Sequence, residues 1–116
     1  MFVDIVMPSG DIISKVFVAS SFTKKLFGYM LRNKPQHNAI LFEKCNSIHT
    51  FLMRFPIDVI FLDKNFRVIK YISKMEKGKA IWPVKNAVYV LESEADRFEK
   101  VEEGQVLHKK NADSSQ

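Results

Sequence analysis

The amino-acid sequence predicts an α+β domain, mostly antiparallel β: a small curved sheet or barrel-like domain with one main helix at about residues 20–32. Three observations predict it. Short apolar runs rich in Val, Ile and Phe recur along the chain, bounded by Pro, Gly, Asn or Asp. One helical stripe, Phe22, Leu26 and Met30 at i, i+4 and i+8, stands apart from them. The 116 residues, 47% hydrophobic and 27% charged, are the length and composition of one globular domain. Residues 1–109 are read as that domain and 110–116 as a polar, disordered tail.

Phe2 to Val6 alternates loosely and leads into Pro8-Ser9-Gly10-Asp11, a strong turn signal; Ile12 to Val18 returns, so a hairpin is predicted. Ser20 or Ser21 can cap the helix, while Lys24 and Lys25 oppose its dipole and Gly28 weakens it by about 1 kcal/mol. Lys34 to Asn38 forms a loop. Ala39 to Phe42 and Ile48 to Met53 read as strands, and Pro56 precedes a third, Asp58 to Leu62. Asp63-Lys64-Asn65 turns the chain into Phe66 to Ile72, whose apolar doublets suggest a bulge or burial on both faces. After a basic loop at Lys74 to Lys79 come a short strand at Ala80 to Trp82 and an apolar one at Ala87 to Leu91, broken by Glu92-Ser93-Glu94. A helical turn at Asp96 to Glu103 and a last strand at Gly104 to His108 complete the reading.

Several function classes have no support. A single cysteine excludes an internal disulfide and a Cys-rich zinc site. No apolar run approaches the ~20 residues of a membrane helix, and no basic leader precedes the first strand. A cytoplasmic, soluble chain without membrane insertion is expected. Phosphate-loop, dinucleotide, zinc-protease and nucleophile-elbow motifs are missing. The net charge of +5 is uneven, with fourteen bases against four acids in residues 15–85. That segment could bind nucleic acid electrostatically, chiefly through residues 64–85, but weakly; the plainer reading is lysines on solvent-facing strands and turns.

The run Cys45-Asn46-Ser47-Ile48-His49-Thr50-Phe51-Leu52-Met53-Arg54-Phe55-Pro56-Ile57-Asp58-Val59-Ile60-Phe61-Leu62-Asp63 resembles the signature of the domain-of-unknown-function family 192, also called uncharacterised protein family 0127. Members carry C-x-S-I/V-H-T-F-x-M-R-F-P-I/L-D-V-x-F-L-D. Gly28-Tyr29-Met30 with Arg32, Val88-Tyr89-Val90-Leu91-Glu92 and Glu103-Gly104-Gln105-Val106 resemble three further family segments, so the likeness spans about residues 16–107. Ala39, Asn86 and Asp96 stand where the family has glycines, and Gln105 where it has Asp. The resemblance implies a small, mostly β fold, exported in some members, and brings no reaction with it.

Within that run Cys45 and His49 could act as thiolate and base, or as two metal ligands, but about 13 Å of extended chain separates them. The plainer reading is a small buried cysteine and a hydrogen-bonded turn histidine. His49, Thr50, Arg54 and Asp58 form a polar set inside an apolar block. They are either an internal network built on an Arg54–Asp58 pair or a site whose Arg54 fork takes a carboxylate or phosphate. Trp82, beside Pro83, is the aromatic best placed for exposure.

The expected function is a non-enzymatic binding or accessory module with a polar ligand or partner site around His49–Asp58. The candidate residues are His49, Thr50, Arg54, Asp58, Cys45 and Trp82, and the partner a small anionic ligand or a protein segment. No metal and no cofactor are expected, and the chain is expected to be a monomer or weak oligomer. One alternative is a hydrolase or transferase using Cys45, His49 and Asp58; another is the nucleic-acid binding above.

Overall fold

The computed structural model describes residues 1–19, 39–49, 55–76, 78–81 and 83–111. It corrects the predicted fold class. The described residues contain no helix, and hence none long and apolar enough to cross a membrane; they form an all-β structure around a seven-stranded mixed sheet. The helix expected at 20–32 lies outside the described residues. The helical turn expected at 96–103 is instead a series of turns opened by Asp96 at φ 67.

The strands are β1 (Phe2–Val6), β2 (Ile12–Ala19), β3 (Ile40–Glu43), β4 (Ile48–His49), β5 (Ile57–Leu62), β6 (Val68–Met75), β7 (Ala80–Ile81), β8 (Tyr89–Glu94) and β9 (His108–Asn111). Seven of them run in the order β6-β5-β8-β3-β2-β1-β9, and β4 pairs with β7 in a separate two-stranded sheet. All pairs are antiparallel except β2–β3. A parallel pair needs a crossover on the order of a dozen residues, and the chain between Ala19 and Ile40 is long enough to supply it.

Local sequence explains the turns. Gly10 at φ 97 closes the first hairpin, where the Gly10 amide donates to the Met7 carbonyl at 2.8 Å. The Asp63 carboxylate accepts from the amides of Asn65 (2.8 Å) and Arg67 (3.0 Å), turning β5 into β6. A register shift at Phe61/Leu62 falls at the Val68-Ile69 doublet of β6, while Tyr71 and Ile72 stay in register with β5 and pack on the first and second clusters, one on each face. Asn86 (φ 70) and Asp96 (φ 67) hold the left-handed conformation that glycine adopts freely, and Asn and Asp tolerate it best among other residues.

One run of chain joins the two ends of the sheet order. The Val68 amide donates to Gln105 O at 2.7 Å and the Leu107 amide to Phe66 O at 2.9 Å, and the same run continues into β9 on β1. Inside this curl lies one apolar cluster, with Ile5, Val16, Leu41, Ile60, Leu62 and Leu91 at its centre. A second covers the other face of β3, β5 and β8 and includes Ile40, Phe42, Val59, Phe61 and Val90. β5 lies between the two and is buried along its whole length, which is why its stretch from Val59 to Leu62 reads as an unbroken apolar run.

Candidate functional site

Asp58 is the acid that the polar set offered from sequence, and the structure buries it completely in β5. Its strand parity places it with Ile60 and Leu62 on the side of the first cluster. One carboxylate oxygen accepts the Lys74 amide at 2.8 Å and the other the Asp96 amide at 3.0 Å. Both donors are left-handed, Lys74 at φ 53 and Asp96 at φ 67, so Asp58 ties together the end of β6 and the turn after β8. Burial pushes the Tyr71 phenol above its usual range; the Ser73 hydroxyl draws it back, and the Asp58 and Asp96 charges raise it further.

Cys45 is half-buried, and its thiol donates to the Ser47 carbonyl at 3.2 Å. Its backbone amide donates to Val88 O at 2.9 Å, and its side chain packs against the second cluster, across the sheet from the face of Asp58. With Lys44, Asn46, Ala87 and Val88 it lines a shallow cavity of about 180 Å³. His49 is placed by its backbone, paired with Ala80 of β7. Thr50, Arg54 and Trp82 lie outside the described residues. Among the described residues no group of three or more His, Cys, Asp or Glu converges as metal ligands do.

A larger cavity of about 340 Å³ opens between the β1–β2 turn and residues 97–99, lined by Met7, Asp11, Ile12, Ile13, Arg97 and Glu99. Two of its charged groups are already engaged: Glu99 accepts from the Ser9 hydroxyl, and Arg97 pairs with Glu94 at 3.3 Å.

The sequence reading missed Glu92. It took Glu92-Ser93-Glu94 as a strand breaker, yet β8 runs through all three, with Glu92 only 5% exposed and Ser93 fully buried. Ladder bonds to β3 on one side and β5 on the other override the low strand propensity of an acid. Register sets Glu92 in a row across the sheet: Phe17 opposite Ile40, Ile40 opposite Glu92, Glu92 opposite Val59, and Val59 opposite Ile72. The other four residues belong to or pack on the second cluster, so one carboxyl stands at the middle of an apolar row. Burial alone pushes that carboxyl up to about 8, and it carries its proton at neutral pH. The available signal was parity: Glu92 follows Val90 by two residues and therefore shares its face.

The profile of the family DUF192 (Uncharacterized ACR) matches residues 5–108. A UPF0127 protein of Pyrococcus abyssi is 42% identical over 83 residues, which cover 67% of this chain and 69% of that one. Another, from Thermococcus kodakarensis, is 36% identical over 101 residues, covering 80% of this chain and 63% of the relative. Two crystal structures share the fold at a TM-score of 0.74. One is a Sinorhizobium meliloti protein described as a candidate transcription regulator, 19% identical, with 92% of this chain and 91% of that chain covered. The other is a Novosphingobium aromaticivorans protein of unknown function, 15% identical, with 93% and 84% covered. At such identities the likeness concerns the fold alone.

Proposed function

The chain belongs to the uncharacterised DUF192 family, and we propose that it is a non-enzymatic binding or accessory module whose polar ligand or partner site lies around His49–Asp58 and includes Glu92. The observation that carries this reading is where the flanks of the signature run pack. Cys45 and Phe55, described residues on either side of the signature's polar stretch, both pack on the second cluster, the face that bears Glu92. An apolar surface with one buried polar group is the usual make-up of a small-molecule site. Arg54, with its planar fork, is the residue suited to an anionic group on the ligand or on a protein segment.

Binding is favoured over catalysis by the state of the other candidates. The Cys45 thiol already donates to Ser47 O, and both Asp58 oxygens already accept backbone amides. With Cys45 and Asp58 on opposite sides of the sheet, a nucleophile–base–acid relay lacks its geometry.

A thermal-shift screen of small carboxylates, phosphates and short peptides tests the proposal on the wild type, Arg54→Ala and His49→Ala. The expected result is at least one stabilising compound whose effect is lost in both variants while their own unfolding midpoints stay near the wild type. Large losses of stability in both, with unchanged ligand shifts, refute it.

A further inference from the structure

We propose that the cavity between the β1–β2 turn and residues 97–99 binds a free α-amino acid with an aliphatic side chain, at a site separate from the one around His49–Asp58. Its volume of about 340 Å³ lies at the lower end of the ~300–1,000 Å³ of small-molecule sites. Both walls are fixed by the fold. On one side the Met7 amide donates to the Asp11 carbonyl and the Gly10 amide to the Met7 carbonyl, each at 2.8 Å. On the other, Phe98 is buried in the first cluster, so its neighbours Arg97 and Glu99 are left to line the cavity. The Asp58 carboxylate anchors the start of that wall through the Asp96 amide at 3.0 Å. The Ser9 hydroxyl accepts the Asp11 amide at 3.2 Å and donates to Glu99, which joins the two walls.

The lining supplies one apolar surface and charges of both signs. Met7 is buried, Ile13 packs on the first cluster, and Ile12 stands at the rim 56% exposed. A hydrocarbon side chain seated there takes the Ile12 surface out of water, each buried methylene adding to affinity. Arg97 meets Glu94 through a single nitrogen at 3.3 Å, so the rest of its planar fork is open to a carboxylate. Asp11 is exposed, pairs with no described cation and suits an ammonium.

The balance of charge selects a zwitterion. Two acids, Asp11 and Glu99, line the cavity against one base, so a bare carboxylate that reaches Arg97 is repelled by both. A bare amine satisfies Asp11 and leaves the Arg97 fork unused. An amino acid places one charge against each, and its side chain covers Met7, Ile12 and Ile13.

The test titrates the full chain with L-leucine, isopentylammonium and isocaproate, the last two being leucine without its carboxylate and without its ammonium. The backbone amides of Asp11, Ile13, Arg97 and Glu99 are followed by NMR. The expected result is L-leucine binding about fivefold tighter than either analogue, the factor that an exposed ion pair of ~1 kcal/mol gives. Asp11→Asn should weaken L-leucine about fivefold without weakening isocaproate, and Arg97→Gln should weaken L-leucine about fivefold without weakening isopentylammonium. Both residues are exposed, so neither substitution threatens the fold. Either analogue binding as tightly as L-leucine, or L-leucine affinity that ignores both substitutions, overturns the assignment. So do shifts confined to the amides of Ile40 and Val59 on the other face, which place the ligand in the site around His49–Asp58, and so does the absence of any response to L-leucine.

Discussion

Replacing Glu92 with glutamine keeps the size and shape of the side chain and removes its proton equilibrium. In the fold the carboxyl titrates at about 8, against 4.5 for an unperturbed glutamate. Between those values the native state holds a proton that the unfolded chain has lost, so stability falls as pH rises. The contribution is fully present below about pH 4.5 and is lost progressively until the folded group itself ionises near pH 8. The loss across the whole window amounts to about 5 kcal/mol, of which about 3 kcal/mol is gone by pH 7. Glutamine has no such dependence. Urea unfolding of both proteins at pH 5, 6, 7 and 8 isolates the effect, because every other titrating group cancels in the difference. The stability of Glu92→Gln relative to wild type should rise by about 3–4 kcal/mol from pH 5 to pH 8, whatever constant offset the amide introduces. A difference that stays flat with pH, or that moves the other way, refutes the reasoning.

Asp58→Ala removes the acceptor of two buried amides and should lower stability by about 3 kcal/mol, from hydrogen bonds to a charged group worth about 1.5–3 kcal/mol each. Asp58→Asn, which keeps one oxygen, should lose roughly half as much by urea unfolding; equal losses would show that the carboxylate is not the tie between β6 and the turn after β8. Asn86→Gly should be neutral or stabilising by a few tenths of a kcal/mol, because the residue sits at φ 70, whereas Asn86→Val should cost about 1–3 kcal/mol. Thermal unfolding of the pair checks this, and equal midpoints would contradict the backbone assignment.

Most of the local structure was legible in the sequence, and the reasons differ by element. The first hairpin and the Asp63 turn rest on interactions within a few residues, so Gly10 and Asp63 announce them. β5 was legible because a strand buried on both faces has no alternation to disguise it. β8 was misjudged at its far end because Glu92 and Ser93 are held by ladders to β3 and β5, partners distant in sequence. The parallel β2–β3 pair and the seven-stranded order are likewise matters of topology that no local pattern encodes. The helical turn expected over 96–103 is absent because Phe98 and Val101 reach the first cluster from an irregular turn that Asp96 opens at positive φ. In the candidate site the segment was legible and its acid was not. Asp58 stood out as the acid inside the signature run, but it serves backbone amides, while the acid at the middle of the apolar row lies more than thirty residues further along.

The central claim is that a buried, proton-bearing carboxyl stands at the middle of the second apolar face. The ionisation of Glu92 itself tests it most directly, followed through the carbon-13 resonance of its side-chain carboxyl, assigned by comparison with Glu92→Gln. A midpoint raised well above 4.5, to about 8, is the result expected of a carboxyl buried this deeply. A midpoint near 4.5, the value of a solvated glutamate, would place the side chain in water and contradict the account.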